Sequence, residues 1–449
     1  MAESMPPAPV ISEVIERVRD KRRMAEGIVA CAERGADFSS QLEMELTGVF
    51  MIPEARRMMS DALTASWARP YPGSSAALDG REVIIGGGYA AAVYAAGRVR
   101  AGFPRPVVLE RGRPDQVGGA FAMSLEPVLK LNSRSRPGMG GLPDQDGALN
   151  YVPGGILQPD LLSSAEYHDN AEMAWLIRVT LAQFADVYAQ APVTRVGRDS
   201  SGRLYLEFPQ GRSLPGRILD ARGCGDPVAL SDGSRLGPRI MTFTQFMERM
   251  GGMFPLRGIR RLAVIGGGNS GLCAAESALG IAPRNTSVIG LDYVRKVDLY
   301  APELDGRTCD AFRQGQRGRY LRLAQYLEGN TSSPSARLGV IAQRATAVPL
   351  PEGVLVNERT YDMAVLCTGY ALPVLRGIET FTFTDYLRGT TVLARRAPGL
   401  RYYRIGAGAD IPFSATETEA GVPAEPANKV SMFRNGPRVA ALAITLPAT

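Results

Sequence analysis

The sequence predicts an α/β fold built around two strand–turn–helix units, the second carried inside the domain that the first begins. Two observations predict it. The apolar run Leu262-Ala263-Val264-Ile265 is followed by Gly266-Gly267-Gly268-Asn269-Ser270-Gly271 and then by the small-residue run Leu272 to Leu279. The same order occurs 180 residues earlier, as Arg81-Glu82-Val83-Ile84-Ile85, then Gly86-Gly87-Gly88-Tyr89-Ala90-Ala91, then an alanine-rich stretch to Arg100. In such a turn the first glycine allows the bend. The second lets a pyrophosphate approach the backbone, and the third lets the helix pack on the strand. The helix N-terminus then offers unpaired N–H groups and a positive dipole end to phosphate. One such turn is a weak signal; two in matched context predict a pair of Rossmann-like dinucleotide-binding domains. The candidate cofactor contacts are Gly86, Gly88 and Ala91 in the first turn, and Gly266, Gly268, Asn269, Ser270 and Gly271 in the second. Alanine in the third place, at 91, still permits close packing.

Composition narrows the chemistry. A chain of 449 residues, 45% hydrophobic, is long enough for two or three domains. No run of about 18 apolar residues occurs, so no membrane span is expected. The start, Met-Ala-Glu-Ser-Met-Pro-Pro, lacks a charged region followed by an apolar core, so no secretory signal is expected. Cys31, Cys224, Cys273, Cys309 and Cys367 lie far apart, which points to a reducing cytoplasm and against a redox-active dithiol. With His168 the single histidine, no multi-histidine metal site is expected. The formal charge of +6 is mild and the arginines are scattered without interleaved aromatics. That suits an anionic cofactor or acidic small molecule rather than nucleic acid.

Residues 1–78 read as a helical extension, with apolar spacing over Val14 to Ala32 and a further helix over Pro53 to Ala68. It is expected to pack on the main body, with a dimer contact or lid as the sharper possibility. Pro70 to Ser75 reads as a linker. In the first unit Pro106 to Leu109 is the next strand. Glu110 stands at its end, 24 residues after Gly86, where a carboxylate can bond an adenosine ribose; Arg111 follows it. A unit ending in Glu in the first third of the chain suits the ADP half of FAD.

Beyond it lie Gly118-Gly119-Ala120-Phe121 and Leu129-Lys130-Leu131-Asn132-Ser133-Arg134. This order resembles the class B flavin-dependent monooxygenases: the flavin-containing monooxygenases, the N-hydroxylating monooxygenases and their Baeyer–Villiger relatives. The resemblance implies that Gly119 and Phe121 run past the isoalloxazine. It also implies that Asn132 is the neutral donor beside its reactive C4a edge. Arg134 to Gly155 then reads as a loop along a substrate channel. Glu172 to Ala189 reads as a helix, Val193 to Val196 and Leu204 to Phe208 as strands about the Ser200-Ser201-Gly202 turn. Arg217 to Gly223 stands where the family has a strand ending Ala-Thr-Gly, with Arg222 in place of threonine.

The second unit is expected to bind NAD(P)H, with Ser287 to Leu291 as its second strand and Gly290 at the position that discriminates the two nucleotides. Asp292 would favour NADH, while Arg295 and Lys296 would hold a 2′-phosphate; the reading adopted is NADPH. The basic run Arg313, Arg317, Arg319, Arg322 is expected on a solvated helix face or over an anion. Tyr361 to Tyr370 matches the family's D-x-V-x-x-A-T-G-Y segment with Cys367 for alanine, so Thr368 and Gly369 make the junction turn. Gly406 to Asp410 resembles the second FAD contact, with Asp410 near the ribityl or pyrophosphate portion, and Phe433 to Thr445 reads as the closing helix.

The expected domains are thus 1–78 (extension), 79–225 with 362–449 (FAD) and 226–361 (NAD(P)H). The resemblance implies an FAD- and NADPH-dependent monooxygenase that inserts one oxygen atom from O2 into a small molecule through a C4a-peroxide. N-hydroxylation of an amine or amino acid is the preferred subtype. The alternatives are a non-oxygenating flavin reductase and a non-enzymatic scaffold. Homo-oligomers through the N-terminal helices fit either enzyme.

Overall fold

The structure is a computed structural model. It describes residues 61, 63–68, 71, 78–123, 170–223, 225–227, 236–250, 256–279, 294–302, 337–371, 375–409, 411 and 436–449. Residues 63–67 are helical, and the rest of the expected extension before 61 lies outside the described residues. Tyr71, in the expected linker, is buried: its ring packs on Tyr188 and Phe208, and its hydroxyl pairs with Ser213 Oγ at 3.0 Å.

The first unit runs β1 (Glu82–Ile85), α1 (Tyr89–Arg100) and β2 (Val107–Leu109). Both strands are buried along their whole length, as strands of a parallel sheet covered on two faces must be. Helix α2 (Asn170–Phe184) leads to β3 (Asp186–Tyr188), which pairs parallel with β2. The helix expected to Ala189 therefore ends five residues early, because a three-residue strand is too short to print an alternating pattern.

An antiparallel unit follows: β4 (Arg195–Arg198), β5 (Leu204–Phe208) and β6 (Gly211–Ser213). Strand β7 (Arg217–Asp220) then returns to pair with β1. After the short β8 (Asp226–Pro227), the chain builds a second sheet. It contributes β9 (Ile240–Thr242), α3 (Phe243–Met250), β10 (Arg261–Ile265), α4 (Asn269–Leu279), β11 (Lys296–Tyr300) and β12 (Leu338–Ile341). A small antiparallel sheet of β13 (Ala347–Leu350), β14 (Gly353–Val356) and β15 (Arg359–Tyr361) precedes β16 (Met363–Leu366). Then β17 (Tyr370–Ala371) pairs antiparallel with β8, tying the outgoing connection to the returning one. The chain closes with β18 (Thr384–Arg388), β19 (Thr391–Arg396), β20 (Tyr402–Arg404) and α5 (Gly436–Thr445).

The first sheet has the order β18-β19-β20-β7-β1-β2-β3, and the second the order β12-β11-β10-β16-β9. All five strands of the second sheet are parallel and lie in sequence between β7 and β18 of the first. The strand expected at Ser287 to Leu291 lies outside the described residues; the place beside β10 belongs to β11.

Small residues set the packing that carries the first turn. A Cβ at Gly97 of α1 would meet Ala443 Cβ of α5 at 2.8 Å, so α5 lies directly on α1. Beneath them Glu82 is buried between Arg98 (Nε–Oε1 3.0 Å) and Arg217. Arg98 also donates to the carbonyls of Ala443 (3.0 Å), Leu446 (2.7 Å) and Pro447 (2.9 Å), and Arg217 to Pro447 (2.9 Å). The two guanidiniums thereby cap the C-terminal end of α5 with positive charge, where the dipole favours it.

Candidate functional site: two matched nucleotide cradles

The two units repeat one another bond for bond. Gly86 N donates to Leu109 O and Gly266 N to Tyr300 O, both at 2.8 Å. Glu110 N donates to Tyr188 O and Ala301 N to Ile341 O, both at 2.9 Å. Ala221 N donates to Ile85 O (2.9 Å), and Cys367 N to Ile265 O (2.7 Å). The pairs Gly86 and Gly266, Glu110 and Ala301, and Ala221 and Cys367 are therefore equivalent positions. Both first glycines have a positive φ, +101° and +113°, and a Cβ there would strike the carbonyl oxygen of Ala221 or of Cys367. Only glycine fits. A Cβ at Gly271 would likewise meet the Gly266 carbonyl, which is why α4 can start so close to β10.

The second glycines face outward. A Cβ at Gly268 meets nothing within 4 Å, and one at Gly88 meets only Gly119 Cα at 3.8 Å. Each turn thus leaves open space over the start of its helix. At α1 the N-cap is Gly88, no side chain bonds the cap, and the first turn holds no acid. A helix start with no side chain bonded to its cap and no acid in its first turn suits anion binding.

Glu110 is fixed beside the first turn: Oε2 accepts from Gly87 N and Oε1 from Gly112 N, each at 2.8 Å. Each oxygen keeps lone-pair capacity for a further donor such as a ribose hydroxyl. In the second unit this position is Ala301, whose side chain carries no carboxylate. Gly290, which the sequence reading places at this discriminating position, and Asp292 lie outside the described residues. Arg295 and Lys296 stand at the opposite end of the sheet from the glycine turn. Lys296 pairs in register with Arg261, five residues before Gly266 and so about 16 Å from the turn at ~3.3 Å per residue. They are not brought to the cradle.

The remaining candidates divide as follows. Gly119 backs onto the first turn: a Cβ there would come within 3.2 Å of Gly88 Cα, and Gly118 N donates to Gly87 O at 2.9 Å. Phe121 is buried in the core that α1 and α2 share, and Arg111 is exposed. Ala91 is buried within α1, and Ser270 and Gly271 open α4. Thr368 and Gly369 follow β16 on an exposed turn with φ +100° at Gly369; the first unit repeats this as Arg222 and Gly223, φ +68°. Gly406 also reaches the first unit, since a Cβ on it would meet Ala90 Cβ at 2.7 Å. Asn132, Asp410, His168, the 134–155 loop and the arginine run lie outside the described residues.

Charged groups at this edge are paired. Arg222 forks onto Asp220 (Nε–Oδ1 and Nη2–Oδ2, both 2.8 Å), which also accepts from Tyr402 Oη at 2.8 Å. Burial pulls the Arg222 pKa down, but the bond to and charge of Asp220 outweigh it and the net shift is upward. Burial first and Asp220 second push the Tyr402 phenol well up. Burial also raises the Cys367 thiol, so it stays protonated beside the second turn. Among the described residues no group of three or more His, Cys, Asp or Glu could hold a metal ion, and no helix is long and apolar enough to cross a membrane.

Two residues at the cradles escape a sequence reading. Ala301 is invisible until β11 is placed. Arg178, on α2, bonds the loop that carries Gly119, and nothing in a helix sequence marks an arginine that points inward.

No protein-family model and no curated sequence matches the chain. Solved structures do. OTEMO, in complex with FAD and NADP, matches over 82% of this chain and 84% of its own, at 13% identity and TM-score 0.53. The cadaverine monooxygenase of the desferrioxamine pathway of Erwinia amylovora, bound to FAD, covers 82% and 95% at 14% identity and TM-score 0.52. The ornithine N-hydroxylase of Kutzneria sp. 744, with reduced FAD, NADP+ and L-ornithine, covers 81% and 99% at 14% identity and TM-score 0.50. The chain therefore has the fold of flavoproteins with two dinucleotide-binding domains.

Proposed function

We propose that the chain is an FAD- and NADPH-dependent monooxygenase that N-hydroxylates an amine. The observation that carries the reading is the pair of matched cradles, one nested inside the other, on a fold shared with an ornithine N-hydroxylase and a cadaverine monooxygenase. The first cradle fits FAD: Gly88 leaves room for a pyrophosphate, α1 offers uncapped N–H groups, and Glu110 is aimed for ribose hydroxyls. The second fits NADPH, because Gly268 is open and Ala301 presents no carboxylate to repel a 2′-phosphate. Bound flavin supplies the redox and oxygen-activating chemistry.

The chain's own residues bind and orient. The N-terminus of α1 holds one diphosphate and that of α4 the other, and the β8–β17 pair fixes the connections between the two sheets. Thr368 and Gly369 make the turn where the chain re-enters the first domain, and Asn132 is the neutral donor proposed beside the reacting edge. Asp410 is proposed at the ribityl or pyrophosphate portion; Gly406, four residues before it in sequence, is the residue that lies against Ala90. The domains are proposed at 79–225 with 362–449 and at 226–361. The net charge of +6 suits a substrate that carries a carboxylate beside its amine.

The test is oxygenated product. Purified protein with FAD, NADPH and air should convert an amine among ornithine, lysine and cadaverine to a hydroxylamine. NADPH oxidation that yields hydrogen peroxide alone with every amine, thioether and ketone would count against the reading. Quinone reduction under those conditions would favour a reductase.

A further inference from the structure

We infer that Arg178, held by residues 63–67 of the N-terminal extension, is a positioning residue for the first cradle: it clamps the Gly118-Gly119 loop against the Gly87-Gly88 turn. The inference rests on the reading of that cradle as the flavin site.

Arg178 is fully buried on α2. Its Nη1 donates to two loop carbonyls, Pro114 O at 2.8 Å and Val117 O at 3.1 Å. Val117 immediately precedes Gly118, whose N–H donates to Gly87 O, and Gly119 lies against Gly88. One guanidinium nitrogen thus fixes both ends of the turn that presents this loop to the cradle. On its other side Nη2 donates to Thr64 Oγ1 at 2.8 Å, and the guanidinium lies 4.8 Å from the Trp67 ring centroid. Leu63 and Trp67 are buried in the core that α1 and α2 share, so the extension is anchored where it grips the arginine.

The energetics say that this arginine has polar work. A buried guanidinium is costly unless its donors are satisfied, and an apolar side chain would fill the same space more cheaply. The loop from Arg111 to Met123 contains only short 3₁₀ turns, and while Gly112 O accepts from Gln190 N at 2.8 Å beyond the end of β3, no strand among the described residues bonds the carbonyls of Pro114 and Val117. A planar fork with several donors can bond two loop carbonyls and the threonine together; an ammonium reaches fewer acceptors in fixed geometry. Burial draws the Arg178 pKa down to about 10, against the pull of Asp115 and Asp61, which leaves it charged at neutral pH.

The experiment uses the full chain with Arg178→Lys, Thr64→Val and the double variant. FAD affinity is measured by titrating flavin-stripped protein, NADP+ affinity by calorimetry at the second cradle, and stability by melting the stripped protein. Each single variant should weaken FAD binding about tenfold, the effect of a hydrogen bond or two, with NADP+ affinity unchanged. Thr64→Val touches no residue of the cradle, so in the Arg178→Lys background it should add little. FAD affinity within about twofold of wild type in both single variants would overturn the inference. So would equal weakening at both cradles, which would mark a merely structural arginine. Wild-type protein that takes up no FAD would overturn the flavin reading itself, and the inference with it.

Discussion

Two glycines two residues apart should respond to the same methyl group in opposite ways. Gly266→Ala puts a Cβ on the Cys367 carbonyl oxygen at a backbone φ of +113°. The conformation alone costs roughly 1–3 kcal/mol. Displacing that carbonyl also disturbs the end of β16, whose Cys367 N bonds Ile265 O at 2.7 Å, for about 1 kcal/mol more. The expected loss of stability is about 2–4 kcal/mol. Gly268→Ala adds its methyl where no heavy atom lies within 4 Å, so stability should move by under about 0.5 kcal/mol. That same space is where the proposed function puts a pyrophosphate, and overfilling it should cost about 1–3 kcal/mol of binding, or roughly ten- to hundredfold in NADP+ affinity. The assays are urea unfolding followed by far-ultraviolet circular dichroism, and calorimetric titration with NADP+. Tryptophan fluorescence does not serve, because Trp67 and Trp175 both lie in the first core. Gly268→Ala protein that binds NADP+ like wild type, or Gly266→Ala protein as stable as wild type, would refute the reasoning.

Three further outcomes are expected. Glu82→Gln leaves Arg98 and Arg217 buried without their carboxylate and should destabilise the first domain by about 3–5 kcal/mol in urea unfolding; a loss below about 1 kcal/mol would contradict the structure. Ala301→Glu restores in the second cradle the carboxylate of the first, so it should weaken NADPH binding by at least about tenfold through like-charge repulsion and improve NADH binding; titration with both nucleotides checks this. The Cys367 thiol, buried and pushed up in pKa, should resist iodoacetamide near about pH 8 in the native protein and react after unfolding, read by peptide mass spectrometry.

The parts of the fold that showed in the sequence are those where local pattern and tertiary role agree. Strands β1, β2, β10 and β16 hold apolar runs followed within three residues by glycine, and burial on both faces keeps them so. Strand β11 is different. Its sequence, Lys-Val-Asp-Leu-Tyr, carries a buried Asp298 that accepts from Tyr361 Oη at 2.7 Å and lies near Arg261 and Lys296. A charge satisfied from another strand hides a buried strand, and the run Ser-Val-Ile-Gly-Leu drew the assignment instead. With β11 in that place, the position equivalent to Glu110 is Ala301, and Arg295 and Lys296 fall at the far end of the strand from the glycine turn. The first cradle was more legible because Glu110 directly follows an apolar strand. Arg178 could not be read at all, since its partners lie more than 60 residues away along the chain.

Identification and quantification of the ligand released from the purified protein, alongside its visible spectrum, tests the central claim most directly. The account predicts a yellow protein that releases FAD in a ratio near one per chain, retained in Gly268→Val and lost in Gly88→Val. A colourless protein that neither carries nor takes up an adenine dinucleotide at the first cradle would contradict it.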